Sequence, residues 1–377
     1  MNRRTKSAGY VARTRPVVPP IYQSATFHLD DDIAYRDIES NGGLTEHWYS
    51  RLANPTVDAA AAEIAELEGA EAALMTSSGM AAIATTLVTL LQGGRRIVAA
   101  RQVYGDTRDL LLRDLAALGS DVVMVDAADL DAWAKEISAA PTTIVYAETM
   151  SNPQLEVIDV DALAALAHDA GAKLVVDNTF ATPYTMKPLL RGADIVVHSA
   201  TKFLSGHSDV IAGAIVADQA TVTEIQRRMI TFGGCLDPHA AFLVWRGLQT
   251  FDVRMERAQA TARKLAARLE NNPGIESVRY PGSGAMLAIT VKGGSTRALA
   301  VMRHLTVASE ATSLGGVETL VSTPFNTSHF SLSEQELAAA RIDPGMIRFS
   351  CGLEDAEALA ADVEQALTDV DGLLPGG

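Results

Sequence analysis

The sequence predicts an α/β protein, with a large domain on a mostly parallel sheet covered by helices and a smaller α+β domain after it. Three observations predict this. From about residue 54, short fully apolar runs alternate with amphipathic helical segments, the pattern of a parallel sheet buried on both faces. Polar side chains recur at the C-terminal ends of those runs, where ligands of open parallel sheets bind. After Pro238 the alternation gives way to a long helical stretch and short, separated strands.

Residues 1–53 show little periodicity and carry the run PVVPPIY, which reads as an extended arm of the kind that wraps a neighbouring subunit. Residues 57–68 form an alanine-rich helix stopped by Gly69. SSGM at 77–80 opens a second, mostly apolar helix. Strand and helix then alternate through RRIVAA, TRDLLLRDLAALG, DVVMVD, LDAWAKEISA, TTIVYAET and VDALAALAHDAG, followed by the strands KLVVDNT and ADIVVHSA. The strand VIAGAIVA closes a domain placed at residues 54–235, and TVTEIQRRMITFG leads out of it. The second domain, residues 236–377, opens with one helical run to about Asn271. Strands SVRYP, AMLAITV, ETLVS and MIRFSCG follow, with helices STRALAVMRHL and DAEALAADVEQAL, and GLLPGG reads as a frayed tail.

Composition narrows the function. The 377 residues suffice for two domains and a large core, and 48% hydrophobic with 20% charged residues is a globular balance. A formal charge of -15 disfavours nucleic acid and anionic membranes as partners. Two cysteines without a CxxC pattern suggest reduced thiols in a cytoplasmic protein. The basic N-terminus lacks the apolar stretch of a secretory signal, and MAAIATTLVTLL is too short to span a membrane. The eight histidines do not fall at metal-ligand spacing, and His207 reads as structural, so no metal site is expected. GxSxG and GxxxxGK[ST] are both missing, which leaves hydrolase-elbow and P-loop readings without support.

The chemistry concentrates between Leu174 and Gly213. Lys202 follows a hydrophobic strand and is flanked by Ser199 and Thr201, while Asp177 closes the preceding strand. A lysine amine to form a Schiff base, an acid for a pyridinium nitrogen and hydroxyls for phosphate oxygens are what an aldehyde cofactor with a pyridine ring and a phosphate requires. Each residue also has an ordinary reading. Ser77, Ser78, Gly79 and Met80 suit a phosphate at a helix N-terminus, yet alone they are a Ser/Gly helix cap. Asp177 alone is a turn or cap residue, and lysines are mostly solvated, though the strand VVHSA and the turn GHSD enclose Lys202. Tyr104 either stacks on a ring and exchanges protons or is a half-buried loop tyrosine. Arg348 either grips a carboxylate bidentately or makes a surface ion pair. Glu148 is a further polar group at a strand end.

Together, PPIYQSATF, YSRLANPT, SSGMAAI, VYGDT, ETMSNP, VVDNT, SATKFLSGHSD, WRGLQT, TSLGGVETL and IRFSCGLED resemble the Cys/Met-metabolism family of pyridoxal-phosphate enzymes, the trans-sulfuration group, over nearly the whole chain. The resemblance implies a PLP-dependent transferase-like fold of the aspartate aminotransferase type, with pyridoxal 5'-phosphate as cofactor. It implies Lys202 as the Schiff-base lysine and proton shuttle, Asp177 as the pyridinium partner, and Ser78, Gly79, Met80, Ser199 and Thr201 around the phosphate. Tyr104 corresponds to the stacking tyrosine and a candidate acid, and Asn152 to the residue near the ring hydroxyl and substrate carboxylate. Ser313 and Arg348 correspond to the carboxylate clamp. Tyr49 and Arg51 resemble the pair that reaches the neighbouring subunit's phosphate, which implies an active dimer and a homotetramer.

Departures from the family pattern bear on substrate. Thr312 stands where cystathionine-handling members carry an acid, and Asp109 where they tend to have an arginine. Asp106 stands where methionine γ-lyases favour a cysteine, Ala53 replaces a glycine, and the segment after Gly282 is short. The expectation is a C–S lyase that eliminates the γ-substituent of methionine, cystathionine or homocysteine to give 2-oxobutanoate, ammonia and a thiol. The alternative is γ-replacement by a cystathionine γ-synthase or O-acyl-homoserine sulfhydrylase. An aminotransferase and a non-catalytic cofactor-retaining protein remain as competing classes.

Overall fold

The computed structural model describes residues 16–28, 47–327, 330 and 333–373. Much of the expected arm, the basic N-terminus and the last four residues of the tail lie outside the described residues. Seven strands form the large sheet: β1 (Ala72–Thr76), β2 (Arg96–Ala100), β3 (Asp121–Val125), β4 (Ile144–Glu148), β5 (Lys173–Asp177), β6 (Ile195–His198) and β7 (Gly213–Ala217), in the spatial order β1-β7-β6-β5-β4-β2-β3. β3, β2, β4, β5 and β6 pair in parallel. The central strands β4 and β6 are buried at every position, which is why their sequences read as unbroken apolar runs.

Two features of this sheet depart from the expectation. β1, the segment AALMT, was not anticipated, and it forms the edge against β7. β7 runs antiparallel to both β1 and β6. The connection from β6 to β7 carries Lys202 and no crossover helix, and without such a crossover a strand returns antiparallel.

The second sheet, β10-β11-β12-β9-β8, comprises β8 (Ile275–Arg279), β9 (Met286–Val291), β10 (Ser309–Glu310), β11 (Leu320–Ser322) and β12 (Met346–Ser350). Its pairs are antiparallel except β10 with β11. The helical run expected from Pro238 is two helices, Pro238–Leu248 and Phe251–Leu269. The buried Arg254 explains the break. Its guanidinium donates to the Gly247 carbonyl at 2.9 Å, a group the end of the first helix leaves free, and to the Phe203 and Leu204 carbonyls of the Lys202 turn at 2.8 and 3.2 Å. Gly247 is required there, because a Cβ would lie 2.1 Å from the Ser205 carbonyl oxygen. The core of the large sheet reaches along the second of these helices to Ala258, and that of the small sheet begins at Ala262.

Candidate active site

A cavity of about 640 Å³ opens at the C-terminal ends of β4, β5 and β6 and is closed on its far side by β12 and the loop around Ser313. Asp177 is the last residue of β5 and is 8% exposed. Burial raises its carboxyl, while hydrogen bonds from Thr179 and the nearby His198 oppose the rise. The Thr179 backbone N–H donates to Oδ1 at 2.9 Å. Register places Glu148, at the end of β4, beside it. Burial, and then the neighbouring Asp177, push Glu148 well above the usual carboxylate range. Glu148 accepts the Tyr104 backbone N–H at 2.6 Å, and so fixes the turn that carries the tyrosine. This positioning contact was not anticipated. Its only signal in the sequence was an acid at a strand end.

Behind Asp177 lies a polar cluster that sequence reasoning missed. The fully buried Glu68 meets His198 Nε2 at 2.7 Å and accepts from Asn178 Nδ2 at 2.8 Å. These residues tie the helix Pro55–Glu68 to the ends of β5 and β6.

At the opposite end of the cavity, Ser78 caps the helix Gly79–Leu90 by accepting the Ala81 N–H at 3.1 Å. A Cβ on Gly79 would lie 2.8 Å from the Ser199 Cβ, so only glycine lets this helix start against the Lys202 turn. Met80, Ser199 and Thr201 line the same end. Thr201 Oγ1 accepts the Ala212 N–H at 2.9 Å, which holds the turn closed.

Lys202 Nζ donates to Ser313 Oγ at 2.5 Å. Burial, with a contribution from Arg348, pushes its amine down to about 8. Arg348 sits on β12 and is buried. Its guanidinium donates to Asn152 Oδ1 at 3.0 Å and to the Ser313 carbonyl at 3.2 Å. Burial lowers it to about 10, so it stays cationic at neutral pH. Tyr104 Oη donates to Asp106 Oδ2 at 2.8 Å. Burial and then that carboxylate push its hydroxyl up to about 12.

The lining of the cavity thus brings together Ser78, Gly79, Met80, Ser199 and Thr201 with Asp177, Lys202, Tyr104, Asn152, Ser313 and Arg348. Tyr49 and Arg51 are not in its lining: Arg51 donates to the Ile230 carbonyl at 2.9 Å and lies 5.3 Å from the Tyr49 ring centroid. His207 is bound through Nδ1 to the Ser205 carbonyl at 2.7 Å. Among the described residues no three His, Cys, Asp or Glu side chains converge as a metal site, and no helix is long and apolar enough to cross a membrane.

The donor set suits a flat cationic ring carrying an aldehyde and a phosphate. A buried carboxylate that makes no ion pair among the described residues, a depressed amine and a helix N-terminus too tight for any side chain share one cavity. The sequence pattern of the family described as Cys/Met metabolism PLP-dependent enzyme matches residues 5–368. The chain belongs to this family. Its cofactor is pyridoxal phosphate, and its fold is the α/β fold expected. The L-methionine gamma-lyase of Pseudomonas putida is 40% identical over 369 residues, covering 93% of this chain and 92% of that protein. The cystathionine gamma-lyase of Bacillus subtilis (strain 168) is 38% identical over 375 residues, covering 95% and 96%. Among solved structures, the cystathionine gamma synthase of Xanthomonas oryzae pv. oryzae, in complex with aminoacrylate and cysteine, aligns with a TM-score of 0.88 at 34% identity, covering 95% and 94%.

Proposed function

We propose that this family member is a pyridoxal-phosphate lyase that eliminates the γ-substituent of a sulfur amino acid. Methionine, homocysteine or cystathionine would give 2-oxobutanoate, ammonia and a thiol. The observation that carries the reading is the placing of the depressed Lys202 amine in one cavity with the Arg348–Asn152 pair and the buried Asp177. Similarity to methionine γ-lyases supports elimination in particular.

In this reading Lys202 would hold the cofactor's aldehyde carbon, Asp177 its ring nitrogen, and Ser78, Gly79, Met80, Ser199 and Thr201 its phosphate. Tyr104 would stack on the ring. Bound there, pyridoxal phosphate supplies an electron sink for the pair left when the α-proton departs. Arg348, with Asn152 and Ser313, grips the substrate carboxylate and sets the α-carbon relative to Lys202. Once the substrate amine has displaced it from the aldehyde carbon, an amine at about 8 would offer a usable fraction of free base near neutral pH, so the freed Lys202 would take the α-proton and return protons along the substrate chain. A Tyr104 hydroxyl at about 12 stays protonated and serves as the acid for the leaving sulfur.

Residues 54–235 serve as the cofactor domain and residues 236–377 as the smaller domain that supplies the carboxylate clamp. Tyr49 and Arg51 lie away from this chain's cavity, which fits a pair that completes the phosphate site of a neighbouring subunit, as in a cytoplasmic homotetramer. Similarity to a cystathionine γ-synthase structure keeps γ-replacement as the second reading.

A product screen tests the proposal. Cofactor-loaded protein given methionine, homocysteine or cystathionine is expected to release 2-oxobutanoate and ammonia, and Lys202→Ala to abolish release. Release from none of the three, with thioether formation from an O-acyl-homoserine and a thiol, transfers the assignment to replacement.

A further inference from the structure

Asp106 is an exposed, cavity-lining carboxylate in the first turn of the helix Gly105–Asp109, where a negative charge is mildly favourable. Assigning Asp177, Lys202 and the phosphate-binding residues to the cofactor, and Arg348 with Asn152 to the substrate carboxylate, leaves for the rest of the substrate a lining that includes Tyr104, Asp106, Glu148, Ile211, Thr312 and Thr327. Of the two acids in that group, Glu148 is pushed well above the usual carboxylate range by burial and then by Asp177, whereas Asp106 is exposed. A hydroxyl needs an acceptor, not an anion, so the bond from Tyr104 leaves the charge of Asp106 uncompensated.

The neighbouring cations are committed elsewhere. Arg108 pairs with Glu336 at 3.2 Å, Arg348 donates to Asn152 and Ser313, and Lys202 donates to Ser313. Among the described residues Asp106 makes no ion pair, and Glu148, the other acid facing Tyr104, accepts its backbone N–H. Asp106 does not cap the short helix Gly105–Asp109 on which it sits.

We propose that Asp106 is a specificity-determining residue that favours a substrate whose γ-substituent ends in a cation and disfavours one that ends in a carboxylate. The inference rests on the division of the cavity made above. A carboxylate beside the substrate tail attracts an ammonium and repels another carboxylate, and both effects are stronger in a partly enclosed site than in bulk water.

Three unreactive amino acids of similar length isolate the tail charge: lysine, norleucine and 2-aminoadipate. None carries a γ-leaving group, and the binding of each to the holoenzyme is read from the change in cofactor absorbance at low ionic strength. Wild type is expected to bind lysine at least about tenfold more tightly than 2-aminoadipate, with norleucine between. Asp106→Asn keeps an acceptor for the Tyr104 hydroxyl and removes the charge, so the lysine-to-aminoadipate ratio should fall to within about threefold. Asp106→Glu should keep the preference. A wild-type ratio below about threefold, a ratio that survives in Asp106→Asn, or binding of none of the three overturns the proposal. Failure of the lyase reading is a separate result: no 2-oxobutanoate from any thioether, whatever the binding ratios.

Discussion

Replacing Gly315 by alanine perturbs Lys202 without touching its side chain. Gly315 lies in the SLGG turn at φ 84°, where an L side chain is strained by about 1–2 kcal/mol. An alanine Cβ there would stand 2.4 Å from the Phe203 backbone nitrogen, 2.8 Å from the Lys202 carbonyl carbon and 3.1 Å from the Lys202 Cα. These are backbone atoms, so no rotamer change relieves the overlap, and overpacking of this kind costs about 1–3 kcal/mol. The sum, about 2–5 kcal/mol, should lower the midpoint of thermal unfolding by about 2–6 °C for a chain of this length. Relief must come from movement of the turn that carries the amine, and misplacement of a reacting group by about 1 Å costs about 10²-fold in rate.

Gly316→Ala is the matched control. The nearest atoms to its Cβ would be those of the Glu318 carboxyl tip, a side-chain end that can swing aside at the expense of its bond from the Ser208 hydroxyl. The assay pairs thermal unfolding with the rate of 2-oxobutanoate release and borohydride trapping of the cofactor on Lys202. Gly315→Ala should lose stability, kcat and trapping together, while Gly316→Ala should stay within about 1 kcal/mol of wild type. Wild-type stability and kcat in Gly315→Ala would refute a rigid contact between the two turns. Equal damage in both variants would refute the assignment of that contact to Gly315.

Loading of cofactor onto apoprotein should accelerate as pH rises through about 8 and level off above it, because the neutral Lys202 amine is the reactive form; a rate independent of pH from 7 to 10 contradicts the depressed amine. The linked stability has a definite sign: between about 8 and the ordinary lysine value of 10.5 the unfolded chain holds the proton and the folded chain does not, so this group makes apoprotein stability rise with pH across that window. Arg348→Lys removes the planar fork that donates to Asn152 and Ser313 and should raise KM for the amino acid by about 10²-fold, with a smaller effect on kcat; an unchanged KM in steady-state kinetics removes Arg348 from carboxylate binding. Glu68→Ala leaves His198 and Asn178 without their buried acceptor and should cost about 3–5 kcal/mol, read as thermal unfolding, with a milder loss in Glu68→Gln; a wild-type midpoint in Glu68→Ala denies the cluster a structural role.

The parts of the site legible in the sequence are those whose chemistry is written locally. Asp177 closes an apolar strand, Lys202 follows another, and Ser78 and Gly79 open a helix, and each of these positions depends on residues a few places away. What was not legible depends on contacts between distant segments. The Glu68–His198 pair spans 130 residues, and neither residue signals the other. The break between Leu248 and Phe251 follows from Arg254 reaching the Phe203 and Leu204 carbonyls, whereas the local sequence reads as one helix. The strand β1 was hidden because AALMT lies between two helical signals and alanine, leucine and methionine favour helix, so its pairing with β7 had to override propensity.

The register of β4 against β5 gives the site its electrostatic logic. It sets the buried carboxyls of Glu148 and Asp177 side by side, and burial and mutual repulsion favour the neutral forms. Two such acids do not both ionise without a cation between or beside them. Glu148 has a single hydrogen bond that favours its charged form, from the Tyr104 backbone N–H. Asp177 instead receives two hydrogen bonds from Thr179 and the field of His198, and all three favour its charged form. The pair is therefore asymmetric before any ligand arrives, with Asp177 the member prepared to carry the negative charge and Glu148 the member prepared to stay neutral. A cationic ring nitrogen at Asp177 relieves the desolvation of that carboxylate, and anything that binds the folded state alone stabilises it. The unfolding midpoint should then rise on loading in the wild type, and rise less in Asp177→Asn, where no carboxylate is left to be paired.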